Sequence, residues 1–401
     1  MKPMMEPEEY LFTEEQPTTE KGQAQRKAED NLNVLLAALL ITVLLLVFSL
    51  LSVTGKDRDY SENENRYLAG KPQFSVSSVK DGKFMKDTES YLSDQFFGRD
   101  GFVKTRTNID IFMGKKEIND VYIGKRHFLF EKPAEYNEER VNKTLASVNS
   151  LTADAGVRSY IAIAPDAGEV LSDYMPRNAP TQNQTEQIAT IYAQLPDMQG
   201  IDLCTPLKAA EDRASLYYRT DHHWTAAAAQ IAYREITAAM ELDTTGYEWT
   251  DMAVTNSFQG TLASSSGVFS AKDTVYISVP SPEVKTLVTY VNEKEETASM
   301  FDSSKLVEKS KYDVFFGGNY AQITIETDST SDRTLLIIKD SYANCVVPML
   351  TPYFKTIVMV DPRYYTDDIR ATAEKEGVTD ILWLYNANTF LNDTSIAERF
   401  E

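Results

Sequence analysis

The chain has 401 residues, 42% of them hydrophobic and 25% charged, with a formal net charge of −20. That length allows one large domain or two ordinary ones with a sizeable core. So acidic a balance argues against nucleic acid as a partner, since phosphates are held through Lys and Arg.

In chain order, residues 1–33 are charged and carry Pro3, Pro7 and Pro17, which predicts a disordered cytoplasmic tail. Val34 to Val53 reads VLLAALLITVLLLVFSLLSV and has no charge. Twenty helical residues reach about 30 Å, the thickness of a bilayer core, so 34–53 is expected to be one transmembrane helix. A core helix would show a polar face, and a cleaved signal peptide would not follow some thirty polar residues. Lys21, Arg26 and Lys27 before the span face Lys56, Arg58, Arg66 and Lys71 after it, so charge alone does not orient it. The large domain behind the span predicts the tail inside and the domain outside, because long domains translocate largely regardless of charge. The expectation is a single-pass protein of the cell membrane with an extracytoplasmic domain. Residues 54–120 place Phe84, Tyr91, Phe96, Phe97 and Phe102 at irregular helical spacing and read as a stalk or helical extension.

From 121 to 401 the pattern is α/β. VYIGKRHFLFE reads as a hairpin turning near Gly124, and VNKTLASVNSLTADAG as a helix stopping at Gly156. SYIAIAP is a buried parallel strand by its continuous apolar run. TEQIATIYAQL is helical, GIDLC strand-like, and AAAAQIAYREITAAME a helix that Thr225 is placed to cap. The C-terminal end alternates more clearly: strand TLLII, helix YANCVVPML, strand TIVMV, helix DDIRATAEKEG closing at Gly377, strand DILWLYN. Such βαβαβ order implies a mostly parallel sheet with helices on both faces. Between about 244 and 331, TLVTYV, DVFFGG and YAQITIETD read as strands of an antiparallel, β-rich insertion.

Ligands of open parallel sheets bind at the carboxyl ends of the strands. Three loops stand at such ends: APDAGE, KDSYAN and DPRYY. KDSYAN offers Ser341 between a strand and a helix, where the first helical N–H groups could hold an oxyanion. A serine nucleophile needs a base, and a carboxylate fixes the base's tautomer. The stretch YYRTDHHWT supplies Asp221, His222 and His223, two of the only three histidines. Bland readings exist for each part. Ser341 could be a helix cap and the histidines a structural pair. A metal site is disfavoured, because adjacent side chains are expected to diverge and the remaining histidine is His127. The two cysteines, Cys204 and Cys345, form no CxxC pattern and are too few for a disulfide framework; whether they pair is left open.

TDHHWT, with KDSYAN and the early ENRYLAGKPQFS, resembles the DHHW family of bacterial envelope proteins. That family is similar to the SGNH/GDSL hydrolase branch that includes the alginate O-acetyltransferases. The resemblance runs from about Tyr60 to Phe390. It implies an SGNH-like three-layer domain in which Asp221 orients, His223 is the base and Ser341 the nucleophile. The chain order Asp, His, Ser matches the permuted arrangement of that branch. His222 falls at the motif's variable position and receives no catalytic role. Lys339 stands where a GDS block has glycine, and the superfamily's glycine and asparagine blocks are not identifiable. The Ser341 N–H is therefore the first oxyanion donor, with Asn344 and Asp166 as further site residues and Arg363 and Tyr364 as binders of a glycan or carboxylate.

The implied activity is acetyl transfer to a cell-surface polysaccharide, with a membrane-bound O-acyltransferase supplying the acetyl group and no cofactor. With water as acceptor the same triad is an esterase. A non-catalytic glycan-binding scaffold is the alternative of another class.

Overall fold

A computed structural model describes residues 20–155 and 157–400; the expected tail up to residue 19 and the helix stop at Gly156 lie outside them. The chain divides into two compact units, one of Tyr67–Arg99 with the segment ending at Asp59, the other of Tyr60–Arg66 and Asp100–Glu401.

In the first unit a single helix runs over Glu20–Thr54. The part expected to be disordered is thus helical from Glu20 onward, because KGQAQRKAED is rich in good helix formers and continues a helix already nucleated by the apolar run. Its stretch Gly22–Thr54 is long and apolar enough to cross a membrane, and its apolar window is unburied. The short helix Val76–Lys80 starts in a capping box between Ser75 and Ser78, and Lys83–Asp94 follows it.

In the second unit strands β1 (Glu117–Ile118), β2 (Val121–Ile123) and β3 (Leu129–Glu131) form a small antiparallel sheet around the expected hairpin. The central sheet takes β4 (Arg158–Ala164) and β5 (Gln199–Ile201). β6 (Glu248–Phe258) and β7 (Asp273–Ser281) pair with each other as an antiparallel ribbon. Next come β8 (Thr286–Tyr290), β9 (Glu295–Thr297), β10 (Gln322–Thr327), β11 (Thr334–Lys339), β12 (Thr356–Val360) and β13 (Asp380–Asn386). The central sheet has eight strands in the order β9-β8-β10-β12-β11-β13-β4-β5. From β12 to β5 every pairing is parallel; β8, β9 and β10 extend one edge antiparallel. The fold is the expected mixed α/β architecture with a mostly parallel sheet.

The apolar runs explain the layering. Alternate residues of a strand point to opposite faces. Leu335 and Ile337 of β11, Ile357 and Met359 of β12 and Leu382 and Leu384 of β13 enter one core, together with Ala228, Ala229, Ala232 and Ile236 of the helix Ala226–Ala239. Leu336, Ile338, Val358, Ile381 and Trp383 enter the other, with Val141, Leu145, Val148 and Leu151 of Glu138–Ala155 and Ile369 of Ile369–Lys375. Burying each such aliphatic side chain contributes roughly 1.5–3 kcal/mol, so both faces must be covered, as parallel sheets require.

Three local expectations differ. The segment after β11 is a pair of 3-10 helices, Ser341–Cys345 and Val347–Tyr353, rather than an α-helix. Pro348 and Pro352 remove backbone donors there, and Val346 and Val347 are β-branched. DVFFGG is not a strand: Lys311–Val314 is 3-10, and Phe316, Gly317 and Gly318 all have positive φ (62, 76 and 127°), which breaks any ladder. Thr225 sits at the N-cap of Ala226–Ala239, but its hydroxyl donates to the Ser215 carbonyl at 2.6 Å instead of capping.

Candidate active site

The DHHW stretch forms a tight hairpin. Tyr217 and Trp224 bridge antiparallel, and the Tyr218 and Thr225 N–H groups donate to the carbonyls of His223 and Leu216. Asp273, at the start of β7, fastens the turn by accepting from the Arg219 N–H (3.0 Å), the Thr220 N–H (2.9 Å) and the Thr220 hydroxyl (2.6 Å). The strand expected to carry the serine, β11, ends at Lys339, and Asp340 caps the following turn by accepting the Tyr342 N–H at 2.9 Å.

These two segments are latched together. The Trp224 indole donates to the Tyr342 carbonyl at 2.9 Å, the Tyr342 hydroxyl donates to the His222 carbonyl, and the Tyr312 hydroxyl donates to the Ser341 carbonyl at 3.1 Å. Within the latch, His223 Nδ1 lies 2.6 Å from Asp221 Oδ1, and His223 Nε2 lies 2.7 Å from Ser341 Oγ, across 118 residues of chain. Asp221 and His223 are 2% and 7% exposed; Ser341 is half-buried and so open to a substrate. The His223 ring stacks on Tyr312, with centroids 3.8 Å apart and planes within 13°. The Asp221 carboxylate also accepts the His223 N–H (3.0 Å), the Thr261 N–H (2.8 Å) and the Thr261 hydroxyl (3.1 Å).

The electrostatics suit a base. Burial, and next the charge of His222, push His223 down to about 4 against the pull of Asp221, so the imidazole is neutral at pH 7 with Nε2 ready to accept a proton. Burial alone would raise the Asp221 carboxyl, but His222, His223 and the bonds from His223 and Thr261 hold it well below the usual carboxylate range. Both groups favour the fold less as acid is added. Asp221 is paired only while ionised. For His223, the unfolded chain binds the extra proton first, between about 6.5 and about 4.

The other expected residues divide. Lys339 is buried and donates to Asn319 Oδ1 (3.0 Å) and Asn344 Oδ1 (2.8 Å); Asp361 stands 3.8 Å away, and burial pushes the lysine down to about 8. Asn344 is buried and donates to Asn319 Oδ1 at 3.2 Å, so it belongs to this polar knot. Arg363 is locked on Asp361 by two bonds of 2.8 and 2.6 Å and lies over the ring of the exposed Tyr364. Asp166 is buried against Asn386 (2.6 Å) and Gln184 (2.5 Å), and burial raises it to about 7. Two of the N–H groups expected to face an oxyanion, those of Tyr342 and Ala343, are committed to Asp340.

The histidine rings do not diverge as expected: His222 and His223 lie 3.9 Å apart, and donor atoms of Asp221, His222 and His223 fall within 4.8 Å of one another. Both His223 nitrogens are nonetheless engaged in the Asp221 and Ser341 bonds, which leaves the cluster short of ligands for a cation. His127 is elsewhere, beside Ser270. Both cysteines are buried free thiols. The sequence reading missed Thr261, Gly260 and Tyr312. No motif marks them, and only a contact across some forty or ninety residues of chain brings them to the site.

A family model described as DHHW protein matches residues 133–360. A probable alginate O-acetylase AlgJ of Pseudomonas syringae is 26% identical over 184 residues, 42% of this chain and 46% of the relative. The chain thus spans about half the length of that curated relative. Among solved structures, a DHHW family protein from Eubacterium siraeum superposes with TM-score 0.59 at 21% identity, covering 70% of this chain and 95% of that one. Bacillus cereus PatB1, solved with a sulfonyl adduct, has TM-score 0.59 at 19% identity, covering 70% and 99%. These likenesses support the fold.

Proposed function

This chain belongs to the DHHW protein family, and on that premise we propose that it is a membrane-anchored O-acetyltransferase acting on a cell-surface polysaccharide outside the cytoplasm. The observation that carries the reading is the unbroken line Asp221–His223–Ser341, with links of 2.6 and 2.7 Å. His223 Nε2 takes the Ser341 proton as Oγ attacks the acetyl carbonyl. The oxyanion forms beside the Ser341 N–H, and the imidazolium is steadied by Asp221. Collapse of the intermediate returns that proton to the leaving group and leaves acetyl-Ser341. A sugar hydroxyl then attacks the ester, His223 takes its proton, and the second collapse gives it back to Ser341 Oγ. A membrane-bound O-acyltransferase is the acetyl supplier in this reading, and Glu20–Thr54 is the anchor. Arg363 and the exposed Tyr364 are the proposed contacts to the acceptor, with the buried Asn344 and Asp166 supporting the loops behind them. A non-catalytic scaffold has no use for a neutral imidazole aimed at an accessible alcohol.

Labelling with a serine-directed fluorophosphonate tests this. One adduct is expected on Ser341, lost in Ser341→Ala and falling by about a thousandfold or more in rate in His223→Ala. The labelling rate should hold level from neutral pH downward and decline only near pH about 4, as His223 takes a proton. Undiminished labelling of Ser341→Ala would place the reactive alcohol elsewhere.

A further inference from the structure

The motif's first histidine takes no part in these steps, yet it is tied to the carboxylate that orients the base. Thr261 has one hydroxyl proton, and it goes to Asp221 Oδ2 at 3.1 Å. Toward His222 Nδ1, 2.7 Å away, the same oxygen can therefore only accept. This fixes the His222 proton on Nδ1. We infer that His222 is a positioning residue: its Nδ1–H clamps the Thr261 hydroxyl so that the hydroxyl proton points at Asp221, which keeps Asp221 aligned on His223. The inference rests on the Ser341 chemistry proposed above.

The full chain carrying His222→Phe, which keeps a ring without a donor, and His222→Asn, which puts an amide N–H near the place of Nδ1–H, separates this role from mere packing. His222→Phe is expected to lower kcat for acetyl transfer about five- to tenfold with KM unchanged, and His222→Asn to restore most of it. Thr261→Val should cost as much as His222→Phe, and the double variant no more than either. Equal losses in the Asn and Phe variants, or additive losses in the double variant, would overturn the clamp. If the wild-type chain takes no label at Ser341, the triad reading fails instead.

A separate observation concerns the unit that holds the apolar helix. Phe48, inside the apolar run that ends at Val53, stacks on Phe96 with centroids 5.9 Å apart and lies 6.1 Å from Phe97. Ser52 Oγ accepts the Phe97 N–H at 3.1 Å. At the helical rise, Phe48 is about 8 Å inside the end of the run, so the Phe96–Phe97 turn is drawn to the depth of the boundary between headgroups and acyl chains. The helix Lys83–Asp94 leading into that turn exposes Met85 and Leu92, and Phe97 is itself exposed. Residues 55–99 hold eight basic and eight acidic side chains, so the net charge of −20 lies elsewhere in the chain. Lys80, Lys83 and Lys86 are exposed there and can meet anionic headgroups. We propose that Lys83–Asp94 and the Phe96–Phe97 turn lie in the bilayer interface and form a second membrane contact beside the span.

The probe is the full chain in liposomes of phosphatidylethanolamine and phosphatidylglycerol, with a nitrobenzoxadiazole label on Phe97→Cys or Leu92→Cys; the native thiols are buried. Most of the fluorescence should be lost to a nitroxide on the upper acyl chain and little to iodide in the water. Full quenching by iodide overturns the proposal. So does shielding from both quenchers, which would mean that another protein covers this face. A label on Leu44→Cys that is open to iodide would instead sink the anchor itself.

Discussion

Asp221→Asn is expected to lower the acetyl-transfer rate by about three to four powers of ten. The carboxylate accepts from His223 Nδ1 at 2.6 Å and thereby keeps Nε2 unprotonated toward Ser341. An amide in its place can turn its own N–H toward Nδ1, which moves the imidazole proton to Nε2 and removes the acceptor that Ser341 needs. Turnover of a small acetyl ester, measured beside thermal unfolding, checks this. A loss of less than tenfold would show that Asp221 does not govern the tautomer of the base.

Gly260→Ala should damage both fold and catalysis without touching the triad's chemistry. A Cβ at this position would stand 2.1 Å from Asp221 Oδ2 and 2.3 Å from Asp221 Cβ. Asp221 cannot swing aside, because it is buried and held by the His223 and Thr261 bonds. The loop must move instead, at a cost of about 1–3 kcal/mol in stability, and a carboxylate misplaced by an ångström or so lowers kcat by about a hundredfold. Urea unfolding and turnover of the same sample read the two effects. A variant unchanged in both would mean that the approach of Gly260 to Asp221 is relaxed in solution.

Much of this was legible in the sequence because the signals were periodic or dense. The runs at 160–164, 335–338, 357–360 and 381–385 are apolar on both alternating faces, and only a sheet covered on both faces buries such runs. The pair of histidines after Asp221 suggests a base with its orienter and Ser341 at a strand end its target, and the fold brings the three side chains within hydrogen-bonding distance. What escaped was carried by geometry without a pattern. Thr261 reaches Asp221 from a short helix, Thr261–Ser266, within a segment whose sequence shows only strand signals nearby. DVFFGG carries strand-forming side chains, but three consecutive left-handed backbones overrule them. After Ser341 the apolar spacing fits an α-helix, while Pro348 and Pro352 limit the segment to 3-10 turns. Lys339 is the reverse case. It looked like a departure from a motif, and it proved to be a buried cation tying Asn319 and Asn344 to the carboxyl edge of the sheet.

Cys345 closes the 3-10 turn that begins at Ser341, is 4% exposed, and has its thiol pushed up to about 12 by burial. A thiol so placed reacts with an alkylating agent only when the turn opens. Its modification rate in a dilute, unliganded sample is therefore a clock for local breathing at the serine. A bound donor or acceptor that rigidifies the turn would slow that clock by the same factor as its occupancy stabilises the closed form.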